Sequence, residues 1–268
     1  MTKTLKPVKP ILTAEEQELR MSLWEHLNEL RARVMWGFGA VLIGTIVGVF
    51  FAGDVLNILR EPYCRVVELP ADCQLAILDP TGGLFEYMRI ALLVGGILAI
   101  PILTYQGMMF VLPALTWKEK RGILLSLPVI TLLFIIGVVF AWGMLLPPAL
   151  GFLEGFAPTI FKPTWTADLY IGFVTSLVFW VGVAFEMPLV FFILSLFSVV
   201  TPRPMIKNWR FAIVGSAIAA AFITPTIDPV NMALVMGPLL ILYMLSILMV
   251  WIGGRMIPPL PPLAQDQQ

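Results

Sequence analysis

Charge and histidine are scarce in this chain. Asp, Glu, Lys and Arg make up 13% of its 268 residues, and His26 is the single histidine. Soluble domains run at about 25% charged residues. One histidine and two cysteines leave little from which to build a multi-ligand metal site. No GxxxxGK[ST] phosphate loop is present, so no nucleotide site is expected. The formal net charge is zero, which points away from a nucleic-acid partner. No cofactor is expected. The apolar runs lack period-two alternation, which excludes a membrane barrel. A cleavable signal peptide is not expected either, because the first apolar run is long and follows about 33 mostly polar residues. Ser126, Ser176, Ser195 and Ser216 fall in apolar runs, whereas His26 precedes them all, so no serine–histidine dyad at membrane depth is available. Paired membrane aspartates are absent too, and the chain is not expected to be an enzyme.

What is abundant is apolar: 59% of residues, gathered in long runs. Crossing about 30 Å of hydrocarbon takes about 20 such residues in a helix. Six runs qualify as spans, at residues 34–52, 90–112, 122–146, 170–199, 211–224 and 232–253. The fifth is short, and TPTIDP after it signals a tight hairpin into the sixth. The expected fold is all-α, a polytopic membrane protein with six transmembrane helices. Residues 13–257 form its single transmembrane domain, between disordered tails at 1–12 and 258–268. With six spans both termini share one side, and that side holds thirteen of the seventeen Lys and Arg. Both termini are therefore expected in the cytoplasm.

Before the first span, Thr13 and Glu16 read as a capping box. Leu23, Leu27, Leu30 and Val34 then form one apolar stripe, with Trp24 beside it. An N-terminal interfacial amphipathic helix is expected here, turning into the first span. Glu29 is placed to pair with Arg33 at i+4. His26 reads as an ordinary interfacial histidine. Cys64 and Cys73 share the first outward loop, nine residues apart, and form a possible disulfide.

The fourth run contains LVFWVGVAFEMPLVFFIL, residues 177–194, in which Glu186 is the only charge. A charge at the bilayer centre costs about 2.5–3.5 kcal/mol on insertion scales, so a functional role is its default reading. A hydrogen bond to a neighbouring helix is the structural alternative. Pro188, two residues on, removes a backbone donor and bends the helix.

Four segments in order, HLNELRAR, FVLPALTWKEKR, AFEMP and ITPTIDP, together with the six spans, resemble the TatC family. This is the multi-spanning subunit of the twin-arginine protein translocase. The resemblance covers roughly Leu23 to Gly254. It implies a concave, glove-like bundle in the cytoplasmic (inner) membrane. It also implies a receptor that binds twin-arginine signal peptides and exports folded proteins using the proton-motive force. The implied partners are those peptides, TatA- and TatB-type single-span subunits, further copies of the chain and membrane lipid. On this resemblance Glu29 and Glu119 contact the paired arginines, Arg31 and Arg33 hold Glu29 or meet lipid phosphate, and Leu27 and Phe110 sit near the peptide patch. Glu186 would lie in the hollow, draw in water and receive partner helices. Asp228 and Pro62 also match family positions. Asn231 and Met232 stand where many members carry a glutamine near the start of the last span. These four, with Pro188, are expected to dock partners or to support structure. The competing reading is a secondary transporter for a small solute, with Glu186 as a midplane ion or proton site. No internal repeat relating the two halves supports it.

Overall fold

The computed structural model describes residues 23–66, 73–111, 117–156, 164–224 and 228–256, without the side chains at 23, 117–120, 122–123 and 256. The expected disordered tails, the Thr13–Glu16 helix start and residues 225–227 of the hairpin lie outside the described residues.

Eight α-helices are described: α1 (Leu23–Val66), α2 (Gly82–Val111), α3 (Trp117–Phe140), α4 (Leu146–Gly155), α5 (Ala167–Leu196), α6 (Pro202–Lys207), α7 (Trp209–Ile223) and α8 (Pro229–Met256). Five stretches are long and apolar enough to cross a membrane: α1, α2, the continuous run Leu124–Gly155, α5 and α8. The apolar α7 adds a sixth, shorter one of 15 residues, about 22 Å long. The chain is a multi-pass membrane protein. Its outward faces carry large exposed apolar side chains, Trp36, Ile43 and Phe50 among them, as lipid contact requires.

The helices pack around α2, α3 and α5, which contact one another. α1 packs on α2, α2 on α3 and α5, α5 on α8, and α8 on α7. α5 is the centre and buries Tyr170, Phe173, Val174, Leu177 and Val178. Without a hydrophobic drive between helices in lipid, close approach depends on small residues. At the α1–α2 crossing a Cβ on Gly44 would lie 2.6 Å from the Gly95 carbonyl oxygen, so only glycine fits.

Several boundaries differ from the sequence reading. α1 is unbroken from Leu23 to Val66, 44 residues or about 66 Å. The stripe from Leu23 to Val34 is therefore the start of the first membrane helix, and the expected turn between them is not there. At its other end α1 runs past any hydrocarbon layer and contains Pro62. The third run is also longer than expected. α3 passes into α4 through a π turn at Ala141–Leu145, just before Pro147 and Pro148. Those prolines have no N–H to give the preceding turn, and the wider turn absorbs the mismatch.

On the face opposite the start of α1, a cap holds the helix ends together. Cys64 and Cys73 are joined as a disulfide, Cα atoms 5.2 Å apart. Tyr63, Trp165 and Tyr170 pack ring against ring, and the Tyr170 hydroxyl donates to the Leu59 carbonyl at 2.7 Å. Ala76 pairs with the strand-like backbone at Trp165–Ala167, through bonds of 3.3 and 2.8 Å. Arg89 donates to both Glu86 and Asp168, each at 3.0 Å. This pairing explains how α2 carries two charges inside its first turns.

Candidate functional site: a carboxylate above an apolar groove

The first turns of α1 and the last turn of α2 meet on the face that holds the start of α1. Glu29 and Arg33 lie on one side of α1, and the Arg33 Nε donates to Glu29 Oε1 at 3.0 Å. Arg33 Nη2 bonds the same oxygen. Arg33 Nη1 donates to Gln106 Oε1 on α2 at 3.3 Å. One guanidinium thus fixes the carboxylate and ties the two helices. Glu29 Oε2 is buried and has no hydrogen-bond partner among the described residues. A carboxylate oxygen left this way costs about 1–3 kcal/mol, which a bound donor recovers.

Beside this carboxylate is a groove of 420 Å³ between α1 and α2. Its walls are Leu30, Val34, Phe38, Val41, Leu103 and Phe110, with Arg33 and Gln106 at the rim. The His26 ring stacks on Phe110 with centroids 4.4 Å apart and planes 15° apart. His26 therefore belongs to the site, a role that its isolation in the sequence concealed. A second groove of 310 Å³ shares Val41 and Leu103 and continues along α2 towards Phe179 and Trp180 of α5.

The other expected residues separate into two groups. Leu27 is exposed near the site. Arg31 is exposed and forms no ion pair among the described residues, so only Arg33 holds Glu29. Glu119 lies in the first turn of α3, and its side chain is outside the described residues.

Glu186 is not at the middle of its helix. It lies ten residues from the end of α5 and nineteen from its start. Its side chain is 6% exposed. Thr104 Oγ1 donates to Glu186 Oε2 at 2.9 Å, while Oε1 has no partner among the described residues. Pro188 is buried in the same helix. The sequence signal for Thr104 and Gln106 was available: both are polar residues inside an apolar run.

Asp228 caps α8. Its Oδ1 accepts the Asn231 backbone N–H at 2.6 Å and its Oδ2 accepts the Asn231 side-chain amide at 3.0 Å. With Pro229 as the first helical residue, this is the arrangement expected of a capped helix start. Asn231 is buried, with Oδ1 unpartnered among the described residues. Met232 is half-buried against the core. Pro62 is buried inside α1 and leaves the Ile58 carbonyl without its helical donor. Trp142, set by the π turn, supplies an indole N–H to that carbonyl at 3.2 Å.

Comparison with known proteins agrees with this arrangement. The family model "Sec-independent protein translocase protein (TatC)" matches residues 25–238. A TatC protein of Aquifex aeolicus is 39% identical over 229 residues, 85% of this chain and 93% of that protein. One from Synechocystis sp. is 34% identical, over 84% of this chain and 86% of its own length. A crystal structure described as the twin-arginine translocase receptor TatC superposes with a TM-score of 0.75 at 38% identity, covering 86% of this chain and all of that one. With a matching family model across most of its length and relatives of this identity, the chain belongs to the TatC family.

Proposed function

We propose that this chain is the receptor subunit of a twin-arginine translocase. It binds signal peptides with paired arginines and works with small single-span subunits to export folded proteins, without catalysing a covalent step. The observation that carries this reading is Glu29: an oriented, half-buried carboxylate with one oxygen buried and unpartnered among the described residues. A guanidinium presents two parallel N–H donors to such a group, and an ammonium does not. Glu119 is assigned to the second arginine and Phe110 to the adjoining wall. The positive-charge bias supports a cytoplasmic position for both termini, and with them for this site, in a protein of the cytoplasmic membrane. Glu186 is assigned as an intramembrane polar site that recruits water or a partner helix. Asp228, Asn231 and Met232 are assigned to structural support of the last helix. The solute-transporter reading has no comparable support, because the matched relatives are translocase proteins.

The test is peptide binding to the full chain in lipid nanodiscs. Wild type should bind an Arg-Arg signal peptide about tenfold more tightly than its Lys-Lys counterpart, the scale of one charge-assisted contact. Glu29→Gln should remove most of that preference. Equal binding of the two peptides by wild type would sink the receptor reading.

A further inference from the structure

We propose that Arg89 and the groove between α2 and α5 hold one phospholipid of the leaflet on the cap side, with a headgroup that carries a primary ammonium. The lipid phosphate sits on Arg89, the ammonium beside Asp168, and one acyl chain in the groove.

Arg89 stands between two cavities of opposite character. Towards the membrane interior is the groove of 310 Å³, walled by Leu92, Leu93, Leu103, Phe179 and Trp180. Towards the cap is a pocket of 290 Å³ lined by three carboxylates, Asp79, Glu86 and Asp168. Arg89 uses one nitrogen for all its bonds among the described residues. Its Nη1 donates to Glu86 Oε2, to Asp168 Oδ1 and to the Asp168 carbonyl, at 3.0, 3.0 and 3.1 Å. Nε and Nη2 donate to nothing among the described residues, although the side chain is 40% exposed. Paired guanidinium donors of this kind fit two phosphate oxygens. Gly172 makes room for the group against α5, since a Cβ there would lie 3.2 Å from Nη1.

The groove's dimensions select a hydrocarbon chain. From Arg89 to Leu103 is fourteen residues of α2, about 21 Å. The hydrocarbon of one leaflet is about 15 Å deep, half of the bilayer core. The groove therefore runs the depth of an acyl chain. Spread over that length, 310 Å³ is a narrow channel, thinner than a helix of about 10–12 Å diameter. Two hydroxyls interrupt its apolar walls. Thr175 already donates to the Ile171 and Gly172 carbonyls. Ser176 has no partner among the described residues and lies one helical turn below Gly172, about 6 Å deeper. That is where the ester carbonyls of a lipid held by Arg89 would accept a hydrogen bond.

Charge selects the headgroup. One guanidinium faces three carboxylates, so the surroundings are net negative and repel a lipid with net negative charge. A zwitterion places its phosphate on the cation and its ammonium on the acidic side. Asp168, with a side chain 72% exposed, is open to that ammonium. A primary ammonium has three N–H donors for it, and a trimethylammonium has none. An ethanolamine headgroup is therefore favoured over choline and over glycerol.

The experiment is native mass spectrometry of the full chain in micelles, titrated with phosphatidylethanolamine, phosphatidylcholine and phosphatidylglycerol of identical acyl chains. Wild type should bind the ethanolamine lipid at least tenfold more tightly than either other lipid, the scale of one charge-assisted hydrogen bond. Asp168→Asn keeps an acceptor for Arg89 and removes the charge. It should lower ethanolamine-lipid binding about tenfold and leave the choline lipid unchanged. Ser176→Phe fills the groove and should weaken both. A phosphatidylethanolamine with a photoreactive group on its acyl chain should label Leu92, Leu103 or Trp180 in the unmodified protein in nanodiscs, which needs no variant to fold. The site is overturned if wild type binds the three lipids equally or prefers the anionic one. It is also overturned if Asp168→Asn keeps the ethanolamine preference, or if the label falls elsewhere. A photoreactive side chain at Trp180 that crosslinks a second copy of the chain, and no lipid, would make the groove a protein interface and end the lipid assignment.

Discussion

The proline in α1 sets up a quantitative test. Pro62 has no N–H, so the Ile58 carbonyl loses its partner four residues on. Trp142 Nε1 replaces it from another helix, at 3.2 Å. Trp142→Phe keeps most of the ring and removes the donor. A net hydrogen bond contributes about 0.5–1.5 kcal/mol, and an unsatisfied carbonyl costs about 1–3 kcal/mol. The expected cost is about 1–2 kcal/mol, at least a fivefold shift in the folded-to-unfolded ratio. Lost ring area contributes to that figure, and a double-mutant cycle separates it. In Pro62→Ala the new backbone N–H can bond Ile58 directly, so the indole becomes redundant. There Trp142→Phe should cost only its packing difference, giving a coupling energy of about 1 kcal/mol. The assay is reversible unfolding in detergent micelles, followed by far-UV circular dichroism for all four proteins. Equal cost of Trp142→Phe in both backgrounds would refute the replacement of one donor by the other.

Other consequences follow from backbone geometry. Gly44→Leu drives a side chain into the Gly95 backbone and should destabilise by about 3 kcal/mol, seen as poor accumulation and a lowered unfolding midpoint, whereas Gly39→Ala, with nothing within 4 Å of its Cβ, should stabilise by about 0.5–1 kcal/mol. Ser198 ends α5 with φ 58°, and Val199 and Ser198 donate to the Leu194 and Ser195 carbonyls at 3.1 and 3.0 Å. That is a left-handed cap normally filled by glycine, so Ser198→Gly should stabilise by about 0.5–1 kcal/mol in the same unfolding assay.

The membrane helices were legible because each must bury a long apolar run, and a 20-residue window detects it. Their ends were not, because helix continues into polar sequence where hydropathy carries no signal. α1 extends through Arg60, Glu61 and Arg65, with Arg65 bonded to Glu61 at 2.5 Å across one turn. α2 begins at Gly82, eight residues before the expected span, because Arg89 neutralises Glu86 and reaches Asp168. Both extensions depend on partners that no hydropathy window sees.

The same division governs the site. The Glu29–Arg33 pair was legible because four-residue spacing fixes neighbours on a helix. The His26–Phe110 stack and the Arg33–Gln106 bond join different helices, and nothing local specifies them. Glu186 shows the limit most clearly. Its isolation among apolar residues flagged it, yet its depth and its partner Thr104 follow from how α2 and α5 pack. Glu29 and Glu186 each have one carboxylate oxygen bonded and one buried without a partner among the described residues. They differ in their surroundings. Glu29 is half-buried, and its partner Arg33 lines a groove between α1 and α2. Glu186 is 6% exposed and holds a bond from Thr104 of α2. Under the receptor reading proposed above, Glu29 is the carboxylate assigned to peptide capture, and Glu186 would meet a new donor in a step that admits water or a partner helix.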